Sequence, residues 1–191
     1  MKYLKLLSVS LIFVFLFSAC TENNANTPPP VSGETVAEDT LFKIFKESEI
    51  KYNYSIFDKT GNTLFNSTIP RQPEISVIDS KIVKVAVKAG EGVSSVTTFY
   101  YDTEQNICSA KFISVLADTD TKVVFSDGKR IMVQDIFNRA AYYKVISDFD
   151  PPLSDISAPF ISADFSENGE SVSITYISDK NSEAIKIFEL N

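Results

Sequence analysis

The sequence contains no histidine and no tryptophan, and it has only two cysteines and six glycines among its 191 residues. Without histidine the chain lacks Ser-His-Asp and Cys-His catalytic machinery, the usual ligands of zinc enzymes and the commonest general base. Two cysteines are too few for a thiolate metal cluster, and the glycines form no phosphate-binding loop. We therefore predict no catalytic residue, no cofactor-binding residue and no metal ligand.

Basic residues are also scarce. The chain has 18 Lys and Arg against 25 Asp and Glu, which gives a formal net charge of −7. No cluster of Lys and Arg interrupts this negative field, so the chain repels phosphate backbones and anionic lipid headgroups. We expect no nucleic-acid partner.

The amino-terminal residues have the order of charges and apolar residues that is typical of a signal peptide. Lys2 and Lys5 precede an apolar run over residues 6–17, which holds 12 residues. As a helix this run would span about 18 Å, against a hydrocarbon core of about 30 Å. We predict that residues 1–19 are a cleaved signal peptide, with a permanent transmembrane helix as the less favoured alternative.

The residues that follow are Phe17-Ser18-Ala19-Cys20. This tetrapeptide resembles the lipobox of bacterial lipoproteins, although Phe17 stands where leucine is commoner. The resemblance implies that Cys20 receives a diacylglycerol and becomes the first residue of the mature protein. It also implies attachment to the extracytoplasmic face of the cell membrane, or to the outer membrane if the cell has one. An ordinary secretory signal with a chance cysteine is the alternative.

The next segment, residues 20–35, includes three consecutive prolines and almost no apolar surface. Such a composition predicts a disordered tether between the lipid and a single β-rich domain over residues 36–191. If Cys20 carries lipid, no second cysteine is left within the chain for a disulfide with Cys108. We expect Cys108 to be a small packed strand residue, because a nucleophilic thiolate needs an activating base.

Apolar and polar residues alternate with period two along most of the domain, for example at Val83, Val85 and Val87. This period predicts a mainly β fold. Residues Val36, Leu41, Ile44, Phe45 and Ser48 have helical spacing instead, so we expect a short amphipathic helix at the start of the domain. Helical spacing recurs near 135–149, where a hairpin is preferred and an α+β fold is the alternative.

Two short patterns recur along the domain. Ile75-Ser76-Val77, Ile113-Ser114-Val115 and Ile161-Ser162-Ala163 each open a segment that reaches an aromatic residue and a polar turn-former 24 to 27 residues later. We interpret these segments as about three blade-like antiparallel units, preceded by the closing half of an earlier unit at Ile56-Phe57-Asp58. A partial propeller, a stack of sheets and a ring completed by a second chain all remain open.

The stretch from Pro159 to Glu170, and more faintly the stretch from Phe125 to Lys129, resembles the start of blades in TolB-type β-propellers. The resemblance implies a blade-like sheet at each place.

Carboxylates are the remaining candidates for chemistry. They are Asp118, Asp120, Asp127, Asp148, Asp150, Asp155, Glu167 and Glu170. Paired acids can hydrolyse glycosidic bonds or hold calcium, but Lys122 stands where a calcium loop needs an oxygen ligand. We interpret these acids as solvated turn residues.

The sequence therefore favours a membrane-anchored, non-catalytic binding or assembly module of the cell envelope, with an envelope or extracellular ligand. A carboxylate-dependent glycan hydrolase and a surface protein inhibitor are the alternatives.

Seven tyrosines could form an aromatic binding face, although packing in the core explains them equally well: Tyr52, Tyr54, Tyr100, Tyr101, Tyr142, Tyr143 and Tyr176.

Overall fold

The computed structural model describes residues 33–88 and 96–190, and every regular element in these ranges is a β-strand. The predicted signal peptide and Cys20 lie outside the described residues. Within the described ranges no helix has the length and apolar character needed to cross a membrane. The prediction of a mainly β fold is confirmed.

The sixteen strands form four antiparallel sheets, and each sheet is built mostly from strands that are consecutive in the chain. Sheet 1 contains β1 (Glu34–Glu38), β2 (Phe42–Ser48), β3 (Lys51–Phe57) and β4 (Thr63–Ile69). Sheet 2 contains β5 (Glu74–Ile78), β6 (Ile82–Lys88), β7 (Val96–Asp102), β8 (Ile107–Cys108) and β9 (Phe112–Ile113). Both β8 and β9 pair with β7, so they act as one interrupted edge strand.

Sheet 3 contains β10 (Val115–Asp118), β11 (Lys122–Ser126), β12 (Ile131–Asp135) and β13 (Tyr143–Ile146). Sheet 4 contains β14 (Phe160–Phe165), β15 (Ser171–Ile177) and β16 (Glu183–Glu189). Among the described residues, sheet 4 has three strands where each of the other sheets has at least four.

The sheets pack face to face in chain order, with one apolar cluster between each neighbouring pair. Consecutive residues of the central sheets enter different clusters. In β7, Tyr101 packs against sheet 1 and Tyr100 packs against sheet 3, and in β11, Val123 faces sheet 2 while Val124 faces sheet 4. Period-two alternation thus places apolar residues on both faces of sheets 2 and 3.

The predicted amino-terminal helix is wrong, because its residues form β1 and β2. The spacing of Leu41, Ile44 and Phe45 fits a helix, but Phe42 and Ile44 also alternate with Lys43 along a strand whose buried face packs against sheet 2. Asp39 closes the turn between the strands by accepting a hydrogen bond from the Leu41 amide. The domain also begins earlier than predicted, since Glu34 and Thr35 belong to β1 rather than to the tether.

The preferred hairpin near 135–149 is confirmed, and the α+β alternative is wrong. Strand β12 pairs with β13 in antiparallel register, from Gln134 opposite Tyr143 to Ile131 opposite Ile146. Asp135 accepts hydrogen bonds from the Phe137 and Asn138 amides and closes the turn that follows β12.

The repeated pattern corresponds to strands of sheets 1, 2 and 4, and the described residues form four sheets. The middle unit was placed wrongly: Ile113 belongs to β9 of sheet 2, only Val115 lies in sheet 3, and Phe137 lies outside the strands. Ile75 and Ile161 lie in β5 and β14, the first strands of sheets 2 and 4. The aromatic residues Phe57, Tyr101 and Phe188 lie in the third strands of sheets 1, 2 and 4. The half unit expected before residue 75 is a complete four-stranded sheet.

Candidate functional site

Asp118 is the one predicted acid that joins two sheets. It lies at the end of β10 in sheet 3, and its Oδ2 accepts a hydrogen bond of 2.9 Å from the Tyr100 hydroxyl of sheet 2. The Lys84 ammonium of β6 forms an ion pair with the same oxygen. The Asp118 side chain is only 15% exposed and Tyr100 is fully buried. We call Lys84, Tyr100 and Asp118 the inter-sheet cluster.

The inter-sheet cluster changes the acidity of Tyr100. Burial, and then the negative charge of Asp118, raise the pKa of the Tyr100 hydroxyl far above its ordinary value. Tyr100 therefore stays protonated and acts as a hydrogen-bond donor. The arrangement stabilises the contact between sheets 2 and 3 and holds the hydroxyl away from solvent.

A small cleft opens directly beyond Asp118. It is lined by the β10–β11 turn (119–122) and the β14–β15 turn (165–169), and its volume is about 210 Å³. Two of the predicted acids, Asp120 and Glu167, line it, one from each turn. Lys122 also lines the cleft, and its ammonium lies 5.6 Å from the centre of the Tyr142 ring.

The other predicted acids lie on turns and connections, as the sequence indicated. Arg130 forms an ion pair with Asp127 and holds the pKa of that carboxyl below its usual value. Asp148, Asp150, Asp155 and Glu170 are exposed. No three Cys, Asp or Glu side chains of residues 33–88 and 96–190 come together in a group that could hold a metal ion.

Sequence reasoning missed several acids that close turns after the third strand of a sheet. Asp58 accepts hydrogen bonds from the amides and side chains of Thr60 and Asn62, which lower its pKa to about 2. Asp102 accepts bonds from the Glu104 and Gln105 amides. The repeated pattern contained this signal, because Asp58 and Asp102 are polar turn-formers that directly follow the aromatic residues Phe57 and Tyr101.

The tyrosines do not form a common binding face. Tyr52, Tyr54, Tyr100, Tyr101 and Tyr176 are buried in the clusters between the sheets. Tyr143 is exposed on the edge strand of sheet 3, where the Arg139 guanidinium lies 3.9 Å from its ring centre. Core packing, the alternative considered for the tyrosines, explains most of the set.

Cys108 lies at the end of β8 and is partly buried, as expected for a packed strand residue. Its sulfur is disulfide-bonded in the structure, whereas the sequence reasoning left it no cysteine partner within the chain. The predicted lipidation residue, Cys20, is outside the described ranges, so the structure gives no geometry for it.

Exposed aliphatic side chains mark the outer face of sheet 4. Ile185 and Ile187 of β16 are 69% and 64% exposed, and they project from the face that no other sheet covers. The outer face of sheet 1, at the other end of the row of sheets, is more polar: Asn53 Oδ1 accepts a 2.6 Å hydrogen bond from Thr68, and Phe45 opposite Asn53 is half-buried. The two ends of the row therefore differ chemically.

Comparison with known proteins found no matching family model, no matching curated protein and no matching solved structure.

Proposed function

We propose that this protein is a lipid-anchored, extracytoplasmic lipoprotein whose β domain is a non-catalytic binding or assembly module of the cell envelope. The support for the anchor is the sequence Phe17-Ser18-Ala19-Cys20 after a short apolar run, followed by a proline-rich segment. Two acyl chains on Cys20 hold a protein stably at a membrane, whereas one chain alone binds reversibly.

The non-catalytic part of the proposal is carried by one observation: the acidic and phenolic side chains stabilise the fold. Asp58, Asp102 and Asp127 close turns, Asp118 holds two sheets together, and most tyrosines pack in the core. In the described part of the chain, no buried side-chain nitrogen or oxygen lacks a hydrogen-bond partner. The polar groups thus stabilise the fold, and the exposed aliphatic face of sheet 4 is available for contact.

The anchor is tested by metabolic labelling with an alkyne fatty acid in cells that express the full chain. We expect label on the wild type and on Cys108→Ser, and none on Cys20→Ser. Cys108→Ser is the matched control, because it removes the chain's other cysteine. Label that depends on Cys108, or no label at all, would overturn the proposal.

The disulfide at Cys108 bears on the anchor, because the chain has two cysteines and a thioether on Cys20 excludes an intrachain disulfide at Cys108. Mass spectrometry of the unreduced protein distinguishes the two states. The lipoprotein proposal predicts a diacylglycerol on the Cys20 sulfur, and an intrachain disulfide predicts a peptide in which Cys20 and Cys108 are joined.

The binding role is tested by photo-cross-linking on intact cells, with the photoreactive residue at Ile187 or, as control, at the polar outer face of sheet 1 at Asn66. We expect a discrete adduct from Ile187 alone. Adducts from neither position, or equally from both, would contradict a binding face on sheet 4.

One observation favours a second candidate, a carboxylate-dependent glycan hydrolase. Asp120 and Glu167 line the same cleft from opposite turns, as the two acids of a glycosidase line its cleft. This candidate predicts hydrolysis of envelope glycan that is lost in both Asp120→Asn and Glu167→Gln but kept in Asp155→Asn. Absence of hydrolysis by the wild type removes it.

A further inference from the structure

Strand β16 is one of the two edge strands of sheet 4, and β14 is the other. The register between β15 and β16 is regular over seven pairs, from Ser171 opposite Glu189 to Ile177 opposite Glu183. No strand of the described residues pairs with the other side of β16, although sheets 1, 2 and 3 each have a fourth strand at the corresponding place.

The hydrogen-bond pattern shows which backbone groups face this edge. The Leu190 amide bonds to the Glu170 carbonyl, and the Ser178 amide bonds to the Ser182 carbonyl. Because N–H and C=O groups alternate in direction along a strand, the even-numbered residues of β16 bond to β15. The backbone groups of Glu183, Ile185, Ile187 and Glu189 therefore face the open edge.

Near the end of this edge, the Lys144 ammonium donates a hydrogen bond to the Glu189 carbonyl. Strand β16 has no proline and no bulge, and its one inward-pointing charge is Lys186. The Lys186 ammonium donates a hydrogen bond of 3.2 Å to the Asp148 carbonyl and lies 5.4 Å from the centre of the Phe188 ring. No strand of the described residues covers the backbone groups of Ile185 and Ile187, which form a template for another strand.

The side chains on the same residues determine what kind of strand fits. The odd-numbered residues present two exposed isoleucines between two exposed glutamates. In the antiparallel register with full overlap, a second copy of β16 would place Glu183 opposite Glu189 at both ends. Like charges directly opposite each other destabilise a strand pair, so self-pairing is disfavoured.

We propose that the outer edge of β16 binds an extended segment of a partner protein by strand addition, and that this segment has aliphatic residues flanked by Lys or Arg. Main-chain hydrogen bonds to Ile185 and Ile187 supply the affinity, and pairing of the basic residues with Glu183 and Glu189 supplies the specificity. This inference rests on the proposed binding role and names the chemistry of the partner.

The probe is a synthetic peptide of sequence Lys-Thr-Val-Thr-Val-Thr-Lys, and the protein is the full chain in detergent. We expect binding, measured by fluorescence anisotropy, to be about tenfold tighter than that of the same peptide with Glu in place of Lys. N-methylation of the peptide amides that face β16 should abolish binding, whereas methylation of the alternate amides should not.

Variants of β16 test the specificity. Glu183→Lys combined with Glu189→Lys should reverse the preference in favour of the Glu-containing peptide. The matched control is Asp164→Lys, an exposed acid on the same outer face but in β14, which should leave the preference unchanged. Ile185→Pro removes an edge-facing amide and should abolish binding of both peptides, with folding checked by circular dichroism.

Three results would overturn the proposal: no binding of the Lys peptide, a preference that Asp164→Lys changes as much as the β16 double variant, or self-association of the wild type that Ile185→Pro removes. The last would identify a second copy as the occupant. Because peptide binding is measured equally on Cys20→Ser, loss of fatty-acid labelling would overturn the anchor without affecting this result.

Discussion

Asp118 accepts hydrogen bonds from two residues of a neighbouring sheet, Tyr100 and Lys84. Removing an acceptor from a buried hydroxyl leaves the donor without a partner, which costs more than removing both groups. The Tyr100 hydroxyl is such a donor, because it is enclosed between two sheets.

We therefore expect Asp118→Ala to lower the free energy of unfolding by about 1–3 kcal/mol and Tyr100→Phe to lower it by about 1 kcal/mol. The double variant should lose less free energy of unfolding than the sum of the two single losses, because each single variant already removes the same Tyr100–Asp118 hydrogen bond. Urea denaturation of the four proteins measures the coupling. Strict additivity would show that the hydroxyl and the carboxylate do not stabilise each other.

Asp58 gives a prediction about pH. Hydrogen bonds from Thr60 and Asn62 lower its pKa to about 2 in the folded protein, below the ordinary value of 3.8. A lowered folded pKa means that its contribution to stability is present above about pH 4 and is lost as the pH falls through about 2.

The variant Asp58→Ala should accordingly melt at a lower temperature than the wild type at pH 7, and the difference should narrow between pH 4 and pH 2. Thermal denaturation followed by circular dichroism across this range provides the measurement. Asp155→Ala, at an exposed acid, is the control and should show no such narrowing. A difference that is constant with pH would contradict the role assigned to the Asp58 carboxylate.

Single residues also show where sequence reasoning ends. The turn positions of Asp127 and Glu170 were predictable from the apolar runs on either side. The inter-sheet cluster was not, because Lys84 reads as an ordinary solvent-facing residue between Val83 and Val85. Only the packing of sheets 2 and 3 brings Lys84 to the Asp118 carboxylate, which is 34 residues away in the chain.

At the level of elements, strands were predictable wherever polar and apolar residues alternate. The exception is β2, where Leu41, Ile44 and Phe45 fit helical spacing as well as strand spacing, and the tertiary contacts with sheet 2 decide between them. The hairpin of β12 and β13 was predicted because the repeat aligned it with the other units, even though its local spacing also fits a helix.

The two faces of sheet 4 give an element-scale prediction. Ile174 of β15 is fully buried against sheet 3, whereas Ile187 of β16 is exposed on the outer face. Ile174→Ala should lower the free energy of unfolding by about 2–5 kcal/mol, and Ile187→Ala by less than about 1 kcal/mol. Comparison of their urea midpoints checks the assignment of faces. A similar large loss in both variants would mean that another part of the molecule covers the outer face.

At the level of the whole molecule, four sheets pack in a row through three apolar clusters. The number of sheets was underestimated from the sequence, because sheet 1 shares only the closing half of the repeated pattern, at Ile56-Phe57-Asp58. The packing order depends on which sheets have apolar residues on both faces. The structure shows which sheets these are, because consecutive residues such as Val123 and Val124 lie in different clusters.

The two ends of this row of sheets differ in the polarity of their exposed side chains. Sheet 1 ends the row with hydrogen-bonded polar side chains, whereas sheet 4 ends it with exposed isoleucines and an open strand edge. This difference supports the proposal that the domain contacts another protein, and attachment by lipid would concentrate the domain at a membrane surface.

The central claim is that the domain is displayed on a lipid at Cys20, and its most direct test is mass spectrometry of the amino-terminal peptide from the membrane-extracted protein. The account predicts a mature chain that begins at Cys20 with a diacylglycerol on its sulfur. A chain that begins elsewhere, or a Cys20 sulfur that is unmodified or linked to Cys108, would contradict it.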